Sequence, residues 1–181
     1  MQVASKNGTT SLRDTKKADK ASSAATDKIQ LGISEGDAKK VADMLVQVVA
    51  DSYALLLKTH NYHWNVRGPM FKQVHELTEL QYNTIFTNID LVAERVRALG
   101  QLVPASLSLY AGKTNISEPD NRFTASQMVA DLVKDHELTA RQLRKGVVLA
   151  DDSDDKASAD LLTKCIAEHE KAAWMLRSLL D

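Results

Sequence analysis

The sequence is poor in the residues that build turns, disulfides and membrane spans. Glycine (7) and proline (3) are only about half as common as usual, which argues against turn-rich, many-stranded folds. The single cysteine, Cys165, cannot form a disulfide within the chain. No run approaches the roughly 18 apolar residues that a membrane helix requires. Because no signal-peptide pattern opens the chain, we expect a mostly helical protein that lies in a reducing cytoplasm and spans no membrane.

Charge is unevenly distributed along the chain. The whole sequence carries a net charge of -1, yet residues 1–30 carry +3, because six basic residues outnumber three acidic ones. This segment is rich in Ser, Thr, Ala and Lys and contains no aromatic residue, so it is predicted to be a flexible basic tail, with one folded domain over 31–181. Its basic side chains are candidate DNA contacts, although a solvated tail without a partner is an equally good interpretation: Lys6, Arg13, Lys16, Lys17, Lys20 and Lys28.

Glycine and proline positions divide the remainder into four long spans, which predict helices over 37–67, 70–99, 120–145 and 147–181. Ser34 and Thr124 are predicted N-caps, and Gly100 is a predicted C-cap. The turn at Gly68-Pro69 is short, so the first two helices should be antiparallel, and the second should begin near Phe71. The long crossover, with a short helix expected over 105–110, allows parallel second and third helices. The prediction is an all-α, ferritin-like four-helix bundle.

Four potential metal ligands share one face of the predicted second helix, within an arc of about 100° on an ideal helix: His75, Glu79, Asp90 and Glu94. Their axial separations are about 16 Å for the inner pair and about 28 Å for the outer pair, far beyond metal-ligand bonds of about 2 Å. One chain therefore carries two half-sites. The alternative interpretation is a solvated helix face with an ordinary surface histidine.

The spacing of these residues is symmetric. Positions 75 and 94 and positions 79 and 90 have the same midpoint, 84.5. A two-fold axis near Thr84 and Ile85 would therefore place the first pair of one chain against the second pair of its mate, as in the commonest oligomeric symmetry. His63, at the end of the first helix, would join each site, unless it is simply a satisfied core histidine.

A conventional di-iron site within one chain is not expected, because no histidine has an acidic residue three positions before it. His136 and His169 are therefore interpreted as structural. Trp64 and Trp174 are interpreted as core aromatics, and Cys165 as a buried packing residue.

The motifs HNYHWNVRGPMF (60–71) and DLVAERVRALG (90–100), with the step from His75 to Glu79, resemble those of the Dps-type mini-ferritins, the DNA-protection-during-starvation family. The resemblance implies a hollow dodecamer with two-iron ferroxidase centres at two-fold interfaces. One subunit would contribute His63, His75 and Glu79, and its partner Asp90 and Glu94, with Trp64 beside the centre. The implied reaction is oxidation of Fe(II), preferentially by hydrogen peroxide, followed by mineralisation inside the shell.

The resemblance also implies iron entry and DNA binding. Acidic three-fold pores would lie near the turn between the last two helices, although a solvated acidic loop is the alternative: Asp151, Asp152, Asp154, Asp155 and Asp160. The basic tail would bind DNA phosphates without reading sequence and associate the protein with the nucleoid. Two rival hypotheses are an architectural nucleoid DNA-binding protein with little metal chemistry, and an iron store without DNA binding.

Overall fold

The structure, a computed structural model, describes residues 29–180. The basic tail predicted over 1–30 falls almost wholly outside the described residues. Within them the chain forms five helices and no strand. The helices are α1 (Glu35–Asn65), α2 (Phe71–Ala98), α3 (Leu107–Lys113), α4 (Ala125–Asp152) and α5 (Lys156–Arg177). The all-α prediction is confirmed, including the short helix in the crossover, which lies two to three residues later than expected.

Contacts between distant residues give the direction of each helix. Lys58 of α1 pairs with Asp135 of α4, whereas Gly146, later in α4, approaches Met44, earlier in α1, so these helices are antiparallel. α2 and α5 are also antiparallel, because Arg95 near the end of α2 bonds to Asp155 at the start of α5. Since α4 and α5 form the second hairpin, α2 and α4 run parallel, as the long crossover predicted.

The helix boundaries follow local chemistry, as predicted. Ser34 accepts a hydrogen bond from the backbone N–H of Asp37 at the start of α1. Thr124 and Gln127 form a reciprocal capping box at the start of α4. Gly100 ends α2 with a φ of 77°, a left-handed conformation in which glycine has no steric penalty.

The predicted helix break at Gly146 is wrong, because α4 continues through it to Asp152. A Cβ at this position would lie 2.8 Å from Met44 Sδ and 2.9 Å from Leu162 Cδ1. The glycine therefore allows α1 and α5 to approach α4 closely, at a local cost of about 1 kcal/mol in helix propensity. The α4–α5 turn falls at 153–155 instead, and α5 ends at Arg177 rather than at the predicted end, 181.

The core consists of aliphatic side chains from the four long helices, among them Leu45, Ile85, Leu132 and Leu162. Cys165 is also buried, as predicted, and burial raises the pKa of its thiol to about 11. No helix in the described part of the chain combines the length and apolar character needed to cross a membrane.

A buried ionic network crosses this core between α1 and α4. Lys58 Nζ lies 2.6 Å from a carboxylate oxygen of each of Asp131 and Asp135, and it donates to Ser117 Oγ at 3.0 Å. The Tyr62 hydroxyl donates to Asp131 at 2.8 Å, and burial together with this bond raises the pKa of Tyr62. The network fixes the register of α1 against α4 a few residues from His63.

Candidate metal centre

The structure brings His63 and His75 together across the α1–α2 turn. Their rings stack with centroids 3.7 Å apart and an interplanar angle of 18°. Each Nδ1 faces the backbone carbonyl of the other residue, at 2.9 Å from His63 Nδ1 to His75 O and 3.0 Å from His75 Nδ1 to His63 O. The two residues therefore hold each other in a fixed orientation.

These reciprocal contacts determine which ring nitrogen is available to a metal ion. A carbonyl oxygen can only accept a hydrogen bond, so each Nδ1 carries the proton and donates. Each Nε2 then keeps its lone pair, which is the form of histidine that binds metals. Thr78 reinforces the arrangement, because its hydroxyl lies 3.0 Å from His75 O and 3.3 Å from His63 Nδ1.

The local sequence explains this juxtaposition. Gly68 adopts a φ of 90°, which allows α1 to end at Asn65 and α2 to begin at Phe71 with little intervening chain. The ring of Phe71 stacks on His75 at a centroid distance of 5.0 Å, and Tyr82 contacts His63 edge-on at 5.3 Å. Aromatic rings thus surround the pair and restrict its movement.

The three predicted carboxylate ligands are exposed and make no polar side-chain contacts with other described residues. Glu79 lies one turn after His75, whereas Asp90 and Glu94 lie near the other end of α2. None of the three has a side-chain hydrogen bond or ion pair with another described residue. Residues 29–180 also contain no group of three or more His, Cys, Asp or Glu side chains placed to hold one metal ion. The assignment of the five ligands remains a prediction.

Large apolar side chains are exposed on both α1 and α2. Phe86, at the α2 position between the two half-sites, is 62% exposed, and Leu57 on α1 is 60% exposed. Sequence reasoning missed Phe86, although on an ideal helix it lies only about 20° from His75. Exposed apolar side chains of this size commonly mark contact surfaces.

Both tryptophans are on the surface, so the expectation of core aromatics is wrong. Trp64 is 66% exposed and Trp174 is 60% exposed. The last turn of α1 directs Trp64 away from the bundle, where it stacks on His60 with an interplanar angle of 2° and a centroid distance of 5.2 Å. Trp64 follows His63 directly in the chain and is therefore beside the candidate centre.

The α4–α5 turn divides the predicted pore residues into two groups. Asp155 is only 1% exposed, because it caps α5 at Ser158 N and pairs with Arg95 at 2.6 Å, so it cannot line a pore and that prediction is wrong. The others are exposed and remain candidates for the pore: Asp151, Asp152, Asp154 and Asp160. Two of these form exposed ion pairs, Asp151 with Lys156 and Asp160 with Lys164, which reduce the negative charge of the turn.

The histidines interpreted as structural, His136 and His169, contact each other in the bundle interior. Their Nδ1 atoms are 2.8 Å apart, although 33 residues separate them in the chain. Spacing along one helix could not reveal this pair, because the two residues lie on α4 and α5. All six predicted DNA contacts, from Lys6 to Lys28, lie outside the described residues.

Comparison with known proteins agrees with the fold. A Ferritin-like domain family matches residues 42–181. DNA protection during starvation protein 2 of Bacillus anthracis is 41% identical over 143 residues, which cover 79% of this chain and 98% of that protein. The crystal structure of a Dps protein from Bacillus brevis has a TM-score of 0.78 and 36% identity, covering 81% of this chain and 98% of that one.

A third similarity is to the Dps protein of Vibrio cholerae O1, described as a member of a broad superfamily of ferritin-like diiron-carboxylate proteins. Its TM-score is 0.81 at 27% identity, with 85% of this chain and 97% of that chain covered. The fold and the matched domain place the chain in the ferritin-like family. Within that family it belongs to the Dps-type mini-ferritins.

Proposed function

We propose that this protein oxidises and stores iron at two-iron centres shared between subunits. One subunit supplies His63, His75 and Glu79, and its partner supplies Asp90 and Glu94. The observation that carries the proposal is the reciprocal bonding of the two histidines, which engages both Nδ1 atoms and leaves both Nε2 atoms without a hydrogen-bond partner among the described residues. Imidazole nitrogens together with carboxylate oxygens are a donor set that suits iron.

Iron is the substrate of this reaction. Two ferrous ions each lose one electron to one molecule of hydrogen peroxide, which takes up two protons and leaves as two molecules of water. Carboxylates from both subunits offset the growing positive charge on iron. Ferric product then passes to a mineral inside a hollow assembly, which we propose to be a dodecamer by analogy with the family.

The shared centre requires a two-fold interface along α2. The half-sites lie at opposite ends of this 28-residue helix, so an antiparallel partner helix would complete two equivalent centres. Exposed Phe86 lies between the half-sites on α2, and Leu57 and Trp64 are exposed on α1. The exposed aspartates of the α4–α5 turn are proposed to attract ferrous ions to pores between subunits.

A complementation experiment tests the shared centre. The variants His63→Ala/His75→Ala and Asp90→Asn/Glu94→Gln should each lose at least ~100-fold in ferrous oxidation rate, because each lacks ligands in every centre. When the two variants are co-expressed in equal amounts, half of the interfaces are mixed. Each mixed interface has one intact centre of its two, so activity should return to about 25% of wild type.

The matched control is a mixture of His63→Ala/His75→Ala with Glu79→Gln. Both defects then lie in the same half-site, so no interface contains an intact centre and activity should stay at the level of the variants. Native mass spectrometry verifies mixed assembly in both cases. Absence of recovery in a verified mixture of the first two variants would overturn the shared centre.

DNA binding is the second proposed activity, because residues 1–30 carry +3 and repeated copies of a weakly binding tail act multivalently. Such binding would place the protein in the cytoplasm on the nucleoid. Deleting residues 2–28 should abolish a salt-sensitive DNA mobility shift while iron oxidation continues. A DNA shift from a full chain that oxidises no iron would favour the architectural hypothesis, and no shift in the full chain would favour an iron store without DNA binding.

A further inference from the structure

We propose that a cavity between α2, α4 and α5 binds a second kind of metal ion, a single borderline divalent cation such as Zn²⁺ or Co²⁺, through His136 and His169. This site lies inside one chain and is separate from the centre shared between subunits. Gln81 of α2 supports it by accepting a hydrogen bond from His136.

The cavity is a pocket that opens to solvent on one side and reaches the buried histidines on the other, with a volume of about 190 Å³, enough for an ion and several waters. Its lining includes three side chains that are polar yet buried, one from each helix: Gln81 is 5% exposed, His136 1% and His169 6%. Apolar residues such as Ile85 and Ala172 form much of the remaining wall. Buried polar groups of this kind normally have partners.

The separation of the two imidazoles suits a common ion. Their Nδ1 atoms are 2.8 Å apart, which requires a proton between them when no cation is present. Two nitrogen ligands at 2.0–2.1 Å from a tetrahedral ion would lie about 3.3 Å apart. Opening the pair by about half an ångström would therefore admit an ion in place of the shared proton.

Two buried polar atoms on this cavity also support the proposed site. His136 Nε2 and Gln81 Oε1 are buried and have no hydrogen-bond partner among the described residues. When Nδ1 of His136 binds a cation, Nε2 must carry the ring proton and become a donor, while Gln81 Oε1 is an acceptor on the same cavity. A hydrogen bond to a second residue is the usual companion of a metal-bound histidine.

The charge state of the pair also favours a cation that prefers nitrogen ligands. Burial lowers the pKa of both imidazoles, that of His169 to about 4, so both rings are neutral at pH 7 and keep their lone pairs. Glu168 also lines the cavity and accepts a hydrogen bond from Asn88, which places a carboxylate beside the route of entry. Lys171 is the opposing charge in the lining.

Anomalous diffraction with Co²⁺ tests the proposal on the full-length wild-type protein. Crystals soaked anaerobically with cobalt chloride should show an anomalous peak between His136 and His169, one per chain, besides any peaks at subunit interfaces. His136→Gln and His169→Gln should lose this peak and one equivalent of cobalt per chain. Cys165→Ala, one turn from His169 on α5, is the matched control and should keep both.

Wild-type crystals with cobalt at the subunit interfaces but none in this cavity would overturn the proposal, as would a peak that survives both histidine substitutions. The wild-type map does not depend on whether the variants fold. Because the readout is a position inside one chain, failure here leaves the shared centre and its complementation test unaffected.

Discussion

The two histidine pairs of this bundle present their ring nitrogens in opposite ways. His63 and His75 direct Nδ1 to backbone carbonyls and keep Nε2 free at the edge of the α1–α2 hairpin. His136 and His169 direct Nδ1 to each other inside the bundle, next to the second hairpin of α4 and α5. The hydrogen-bond partner of Nδ1 thus decides which ring nitrogen of each histidine is left available.

The difference teaches that the hydrogen-bond partner of one ring nitrogen, rather than the presence of histidine, decides which nitrogen can bind a metal ion. At the first pair, carbonyl groups hold each Nδ1, and the exposed carboxylate of Glu79 lies one turn after His75 on α2. At the second pair, the two Nδ1 atoms share one proton, and Nε2 of His136 has no hydrogen-bond partner among the described residues. The first arrangement is open to a partner subunit, and the second is closed within one chain.

The largest expected effect on stability comes from breaking the buried ion pair between α1 and α4, which lies close in sequence to both histidine pairs. Lys58 lies five residues before His63, and its ion-pair partner Asp135 directly precedes His136. Lys58→Met should lower the free energy of unfolding by about 3–5 kcal/mol, because it leaves the buried carboxylate of Asp135 and the partly buried one of Asp131 without their cation. Urea denaturation at fixed protein concentration measures the change.

Lys39→Met is the matched control for this substitution. Lys39 pairs with Asp43 at the same 2.6 Å, but both side chains are more than 60% exposed, so the change in stability should be small. Adding Asp131→Asn and Asp135→Asn to Lys58→Met should recover part of the loss. Equal destabilisation by the two lysine substitutions would contradict a special role for the buried network.

The sequence predicts features that depend on neighbouring residues and fails where distant elements decide. Ser34, Thr124 and Gly100 act within one turn of a helix, so their roles were predictable. His63 and His75 flank a tight turn, which made their meeting foreseeable. Burial of Trp64 depends on which face of α1 meets the bundle, and no local signal reveals that face at the last turn.

The same reasoning explains the remaining differences. Gly146 is a helix breaker by propensity, yet a close approach of three helices requires it. Asp155 belongs to an acidic run in the sequence, but its carboxylate is buried because it accepts a hydrogen bond from Arg95, sixty residues earlier. The meeting of His136 and His169 requires the angular register of two helices, which apolar periodicity defines only coarsely. The five ligands of the shared centre remain predictions until complementation is measured.

The next largest effect is the pH dependence of folding stability that arises from the buried histidine pair. Burial lowers the pKa of His169 to about 4 in the folded state, against 6.5 for a solvent-exposed histidine, so below pH 6.5 the unfolded chain binds a proton that the folded chain excludes. Stability should therefore fall as pH decreases from 6.5 towards 4, by about 2 kcal/mol between pH 6.5 and 5 from this group alone. Denaturation with EDTA present, to exclude metal ions, measures the slope.

His169→Gln should reduce this pH dependence, because glutamine does not titrate. The comparison is between slopes, so a general loss of stability in the variant does not affect it. If wild type and variant lose stability in parallel between pH 6.5 and 5, the buried pair is not the group that responds, and its description as a neutral pair at pH 7 fails.

The smallest expected effect tests how tightly the second hairpin closes on α1. Gly146→Ala gains helix propensity, worth about 1 kcal/mol, but its Cβ would meet Met44 Sδ at 2.8 Å and Leu162 Cδ1 at 2.9 Å. Because Leu162 is fully buried, overpacking of about 1–3 kcal/mol should outweigh the gain and leave a net loss of about 1 kcal/mol. Gly112→Ala in α3 is the matched substitution, since its Cβ would meet nothing within 4 Å, and it should stabilise the protein instead. Thermal denaturation measures the change in stability for both substitutions. A loss for Gly146→Ala with a gain for Gly112→Ala would confirm close packing around the α4–α5 hairpin, whereas a gain for both would show that the hairpin is loosely packed at position 146.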